Sequence, residues 1–162
     1  MRKIVALGLL VLLACSLAGC EVTTGGKNWP SGSYSVTRDG KRWRPGYSWF
    51  YVTRGTLFLW AFDSTNPASP YVEIVVPNAY AGNTYPLVRN VGSDAWAVYG
   101  PNQVPEDAFW TYPGSGTVHL DRLDDSECVG TFNFSARYSS SRNLVFMTGG
   151  TFDVGRGYRP NG

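Results

Sequence analysis

The residues that most often carry chemistry are scarce in this chain. Of 162 residues, one is histidine (His119) and three are cysteine (Cys15, Cys20, Cys128). Nucleophilic use of Cys128 would need His119 beside it and an orienting Asn or Asp, and nothing in the spacing supports that trio. Charged residues make up 16% of the chain with a net charge of +2, so no electrostatic funnel for nucleic acid is expected. No apolar run reaches the roughly 20 residues that span a bilayer. No window holds a convincing helical period, and no glycine turn is followed by a helix that would cradle phosphate. Asp121, Asp124, Asp125 and Glu127 lie close together but without the D-x-D-x-D-G order of a calcium loop. They read as a solvated hairpin, so no metal, no cofactor and no catalytic residue is assigned.

What is present begins at the N-terminus. Arg2 and Lys3 precede an apolar run from Ile4 to Leu13, the layout of a secretion signal. Leu17–Ala18–Gly19–Cys20 then resembles the lipobox of bacterial lipoproteins. That resemblance implies a signal over residues 1–19 and a lipid-bearing Cys20 as the first residue of the mature chain. Each buried methylene contributes about 0.8 kcal/mol and one acyl chain anchors only marginally, so two or three chains on Cys20 would hold the domain at a membrane. Glu21 in place of Asp implies, by resemblance to known sorting rules, an outer-membrane address where the cell has two membranes. Arg2 and Lys3 leave with the signal, so the remaining basic residues balance the 12 acidic ones. Cys15 leaves as well and lipid occupies the Cys20 sulfur. Cys128 is then alone, no disulfide forms within the mature chain, and a buried apolar role is expected for it.

Residues 20–33 are rich in Thr, Gly and Ser and read as a tether. Residues 34–155 read as one all-β domain, an antiparallel β-sandwich or barrel-like meander, and 156–162 as a tail. Asp39–Gly40 is a hairpin signal, because that pair readily adopts the positive φ of a type I′ turn. Arg38, Lys41, Arg42 and Arg44 around it are expected to solvate this hairpin. Further strands are expected at 49–53, 56–62, 71–76, 84–88, 95–99, 109–112, 117–123, 128–138, 143–148 and 151–154. Thr56–Phe62 is apolar on both faces and reads as a central strand. Val104–Ala108 is expected to hold a short helical turn.

The C-terminal half resembles a known group. Gly130–Thr131–Phe132–Asn133–Phe134–Ser135–Ala136 and Thr148–Gly149–Gly150–Thr151–Phe152 are similar to the closing strands of small bacterial lipoproteins with no assigned function. Asp39–Gly40–Lys41–Arg42–Trp43 and Gly82–Asn83–Thr84–Tyr85–Pro86–Leu87 match that group's opening hairpin and central element. These motifs are turn glycines and core aromatics, so the resemblance implies a fold and assigns no site residues.

Aromatics are the one abundant class, 15% of the chain, with six tryptophans. Their rings fill cores and also anchor partners. Trp60, between Leu59 and Ala61, is expected in the core. Trp43, Trp49, Tyr51, Trp96 and Trp110 are the candidate binding aromatics. The expected function is a non-enzymatic binding or structural accessory domain of the cell envelope, held by lipid on Cys20, with an envelope protein or glycan as partner. The alternatives are a glycan-active enzyme using paired Asp and Glu, and a barrel carrying an apolar ligand. The enzyme predicts carboxylates converging beside tryptophan, whereas the binding domain predicts an outward aromatic patch.

Overall fold

The computed structural model describes residues 32–88, 94–102, 104, 107–138 and 143–157, with the backbone alone at 112–114 and 138. The signal, Cys20 and most of the expected tether lie outside the described residues. The chain forms β1 (Ser33–Arg38), β2 (Lys41–Trp43), β3 (Tyr47–Thr53), β4 (Thr56–Phe62) and β5 (Tyr71–Val76). It continues through β6 (Asn83–Leu87), β7 (Trp96–Gly100), β8 (Phe109–Leu123), β9 (Glu127–Tyr138) and β10 (Leu144–Gly155). All ten strands join one sheet, in the order β2-β1-β10-β9-β8-β7-β5-β4-β3, with β6 added to β8. Every strand pair is antiparallel. Strands account for 68% of the described residues, and the sheet curls into a half-barrel.

Two hairpin turns follow from residues that tolerate the left-handed region. Asp39 (φ 47°) and Gly40 (φ 80°) join β1 to β2, and Arg54 (φ 50°) and Gly55 (φ 76°) join β3 to β4. Positive φ at both central positions gives the turn whose twist matches that of the strands. Asp107 N donates to Val104 O at 3.0 Å, the i→i+3 bond of a 3-10 turn, where one short helical turn was expected.

Two expected breaks are absent. Residues 109–112 and 117–123 belong to one strand, β8, and 143–148 and 151–154 to another, β10. The reason is bulging. Register shifts occur between Thr111 and Gly116 in β8, between Met147 and Gly150 in β10, and between Ser35 and Thr37 in β1. Met147 and Gly116 both pair with Phe134, so the irregularities align across neighbouring strands as one crease. A bulge bends its strand without ending it, which makes turn-like sequence read as a break.

The curl brings the edge strand β3 against the chain that leaves β10. Phe50 in β3 forms a parallel bridge with Arg156, and Gly157 N donates to Phe50 O at 2.8 Å. The expected tail therefore begins by docking on β3. Inside the curl lies one apolar core, with Phe50, Phe152, Leu57, Leu59, Ile74, Leu87, Leu120 and Met147 its largest fully buried side chains. Cys128 is buried there, and burial pushes its thiol up to about 12.

Candidate functional site

Alternation along β4 and β5 turns small and aliphatic residues inward, while β3 turns Phe50 inward and its other rings outward. Leu57, Leu59 and Ala61 of β4 face the core, as do Val72, Ile74 and Val76 of β5. The other face carries Tyr47, Trp49 and Tyr51 on β3, Phe58, Trp60 and Phe62 on β4, and Tyr71, Glu73 and Val75 on β5. Register aligns them in rows. Trp49 pairs with Trp60, Trp60 with Glu73, Glu73 with Val98, and Val98 with Trp110. The neighbouring row runs from Tyr51 through Phe58 and Val75 to Trp96.

The rings form two walls. On β3–β5, Trp49 stacks on Trp60 at 6.0 Å, Tyr51 on Phe58 at 4.7 Å and Trp60 on Tyr71 at 5.9 Å between centroids. Cross-strand aromatic pairs of this kind contribute about 0.5–1.5 kcal/mol each beyond their area. The opposite wall is Trp96 against Trp110, at 5.4 Å. Between the walls, Val75 (4% exposed) and Val98 (2%) are hidden although neither points into the core cluster. Neighbouring side chains cover both, so this stretch of the outer face is closed to solvent. Phe58 and Trp96 are two strand spacings apart, about 10 Å, and Trp60 and Trp110 three, about 14 Å.

Glu73 stands in the same row, between Trp60 and Val98. Burial lifts its carboxyl from the ordinary 4.5 to about 7. Burial, and then the Glu73 charge, raises the Tyr71 phenol. None of the ion pairs among the described residues reaches Glu73. The indole Nε1 groups of Trp49 and Trp60 are covered and lack a hydrogen-bond partner among the described residues. Gly157 closes over Trp49, leaving no room for a Cβ beside the ring.

No family model, no curated protein and no solved structure matches this chain.

The expected binding aromatics divide. Trp49, Tyr51, Trp96 and Trp110 lie on this outer face, half-buried among one another. Trp43 does not. It packs in the core against Tyr34, and its Nε1 donates to Asp63 Oδ1 at 2.8 Å. A satisfied indole N–H lets that ring sit inside, so Trp43 is removed from the candidate site. Trp60 moves the other way, from expected core to the middle of the outer stack. Its apolar neighbours Leu59 and Ala61 face inward because β-strand side chains alternate. Glu73, Tyr71 and Phe58 were missed by sequence reasoning. The sequence signal was there, in aromatic residues at every second position of 47–51 and 58–62.

The acidic residues around the β8–β9 turn serve that turn. Asp124 Oδ1 accepts from Ser126 N at 2.7 Å, Ser126 Oγ at 2.8 Å and Glu127 N at 2.9 Å. Those bonds hold its carboxyl below the usual range. Arg122 pairs with Glu127, and Arg156 with Asp125 at 2.9 Å. His119 Nε2 lies 3.3 Å from Asp121 Oδ1, and its Nδ1 meets Thr84 Oγ1 at 2.8 Å. Around the first hairpin, Lys41, Arg42 and Arg44 are exposed, while Arg38 donates to the Tyr99 hydroxyl at 2.6 Å.

Proposed function

We propose that this chain is a lipid-anchored, non-enzymatic binding domain of the cell envelope, and that the outer face of β3, β4, β5, β7 and β8 is its contact surface. One observation carries the reading. The chain fills its core with one set of side chains and places a second aromatic set, Trp49, Tyr51, Trp60, Trp96 and Trp110, on the opposite face. These rings stabilise the sheet through their pairs, and half-exposed tryptophan and tyrosine outside a core are also the residues that anchor partners best. The sequence Leu17–Ala18–Gly19–Cys20 and its resemblance to the lipobox support the anchor, with an outer-membrane address favoured by Glu21.

Two experiments test the reading. A photo-crosslinking residue at Trp96 or Trp110 is expected to capture an envelope component in living cells, and one at Thr131, on a polar stretch of β9, is not. Equal labelling from both faces would refute the contact surface. For the anchor, Cys20→Ala is expected to move the protein out of the membrane fraction. An unmodified mature N-terminus by mass spectrometry would refute it.

A further inference from the structure

We propose that the outer face of β8, β9 and β10 rests on an anionic bilayer surface, the one that holds Cys20, through an apolar patch of Trp110, Leu144 and Phe146. This inference rests on the anchor and the contact surface proposed above and names the bilayer as what that surface meets. The patch is open to solvent. Leu144 is 47% exposed and Phe146 51%, two residues apart on the outward side of β10, while Val145 and Met147 between and beyond them are buried. Arg137 on β9 pairs in register with both Trp110 and Leu144, so the aromatic row of the contact surface runs on to β10. Basic residues flank the patch. Exposed Arg137 stands on the β9 side. On the other side lies the β1–β2 hairpin, held there by Asp39, whose N donates to Phe146 O at 3.0 Å and whose Oδ1 accepts from Phe146 N at 2.9 Å. That hairpin carries Lys41 and Arg42, with Arg44 just after it, all exposed. Apolar side chains and tryptophan settle at the headgroup boundary of a bilayer, and basic groups around them meet its phosphates.

Shape, charge and tether each favour lipid as the occupant. The core lies inside the curl, so the patch is on the convex side of the sheet, where fluid lipid conforms and a rigid protein finds little to grip. A second copy docking by a two-fold axis would set basic flanks against basic flanks. The tether brings the bilayer close. Residues 21–32 separate Cys20 from β1, and a flexible coil of that length spans about 20 Å. A linker so short gives an effective concentration of about millimolar, so a weak face suffices. The rest of the outer surface has the opposite character. Ser35, Thr151, Thr131, His119 and Thr84 align in one row across β1, β10, β9, β8 and β6. The bulges of β8 and β10 lie between that hydroxyl row and the apolar patch, and they bend the strands so that the two face different ways. One side suits water and the other suits lipid.

The test reads depth at two positions of the lipidated full chain reconstituted in vesicles. Leu144→Cys and Thr131→Cys each take a nitrobenzoxadiazole label, which buried Cys128 does not. In vesicles of phosphatidylcholine with phosphatidylglycerol, doxyl-labelled lipid is expected to quench the label at 144 at least threefold more than the label at 131. Quenching at 144 is expected to fall at least twofold in phosphatidylcholine alone, and likewise in 1 M KCl, where the screening length is about 3 Å. Phe146→Asp, with an unchanged circular dichroism spectrum, is expected to bring the label at 144 down to the level of 131. Lys41→Gln with Arg44→Gln is expected to lower the ratio of docked to free domain at least tenfold, since each basic residue near an anionic surface strengthens attachment about fivefold. Equal quenching at the two positions, or quenching at 144 that ignores Phe146→Asp, overturns docking on the bilayer. Quenching that follows protein density and not doxyl lipid assigns a second copy and overturns it too. Mass spectrometry of the N-terminus tells a missing anchor from a missing dock. The envelope crosslinks at Trp96 and Trp110 would persist as protein adducts if only the bilayer assignment fails, and would vanish if the contact surface itself is wrong.

Discussion

Replacing Glu73 by Gln keeps the shape of the side chain and deletes its charge. In the folded protein burial holds the carboxyl at about 7, against 4.5 for an ordinary glutamate. That gap corresponds to about 3 kcal/mol, since one pKa unit is about 1.4 kcal/mol. The sign follows from proton binding. Between the two values the folded state holds the proton more tightly than the unfolded state does, so the parent is most stable below 4.5 and loses stability as the pH rises through 7. The Gln variant has no such proton to lose. At pH 4 the two proteins are expected to unfold at nearly the same urea concentration. By pH 8 the variant is expected to be more stable by about 3 kcal/mol, or roughly 10 °C in melting temperature for a domain of this size. Taking the difference between the two proteins at each pH cancels the other carboxylates. A difference that stays flat from pH 4 to pH 8, or one that favours the parent at pH 8, would refute a desolvated, unpaired Glu73.

Gly150→Ala would put a Cβ 2.5 Å from the Phe132 ring. It is expected to cost about 1–3 kcal/mol in thermal or urea unfolding, because the close-packed core cannot give way. Trp43→Phe removes the indole bond to Asp63 and is expected to lower stability by about 1 kcal/mol while envelope crosslinking from Trp110 is unchanged. Cys128, buried with its thiol near about 12, is expected to resist iodoacetamide at pH 8 and to react at once in urea, read by mass spectrometry. Rapid labelling of the folded protein would show that its strand opens.

Some of this protein is legible in one dimension because local chemistry decides it. The positive φ of Asp39 and Gly40 needs residues that tolerate it, so that hairpin can be read directly from the sequence. Alternation identifies the central strand Thr56–Phe62 and the buried run Phe132, Phe134 and Ala136, since side chains in a strand point to opposite faces. The burial of Cys128 follows from the same run. The breaks wrongly expected in β8 and β10 fail for an equally local reason. Glycine and threonine mark a bulge and a turn alike, and which one forms depends on whether a partner strand continues to pair.

The outer aromatic face belongs to the other category. Its rows join residues 49, 60, 73, 98 and 110, far apart in the chain and aligned only by strand order and register. Trp43 and Trp60 show the limit most plainly. Composition treats them alike, yet Asp63 satisfies one indole in the core while register sets the other in an outer stack. The sequence by itself determined that the chain is all β, where it turns and which strands are sided. Only the curled sheet decided which side faces water and which side chains meet there, because facing is a property of partners and no residue carries its partners with it.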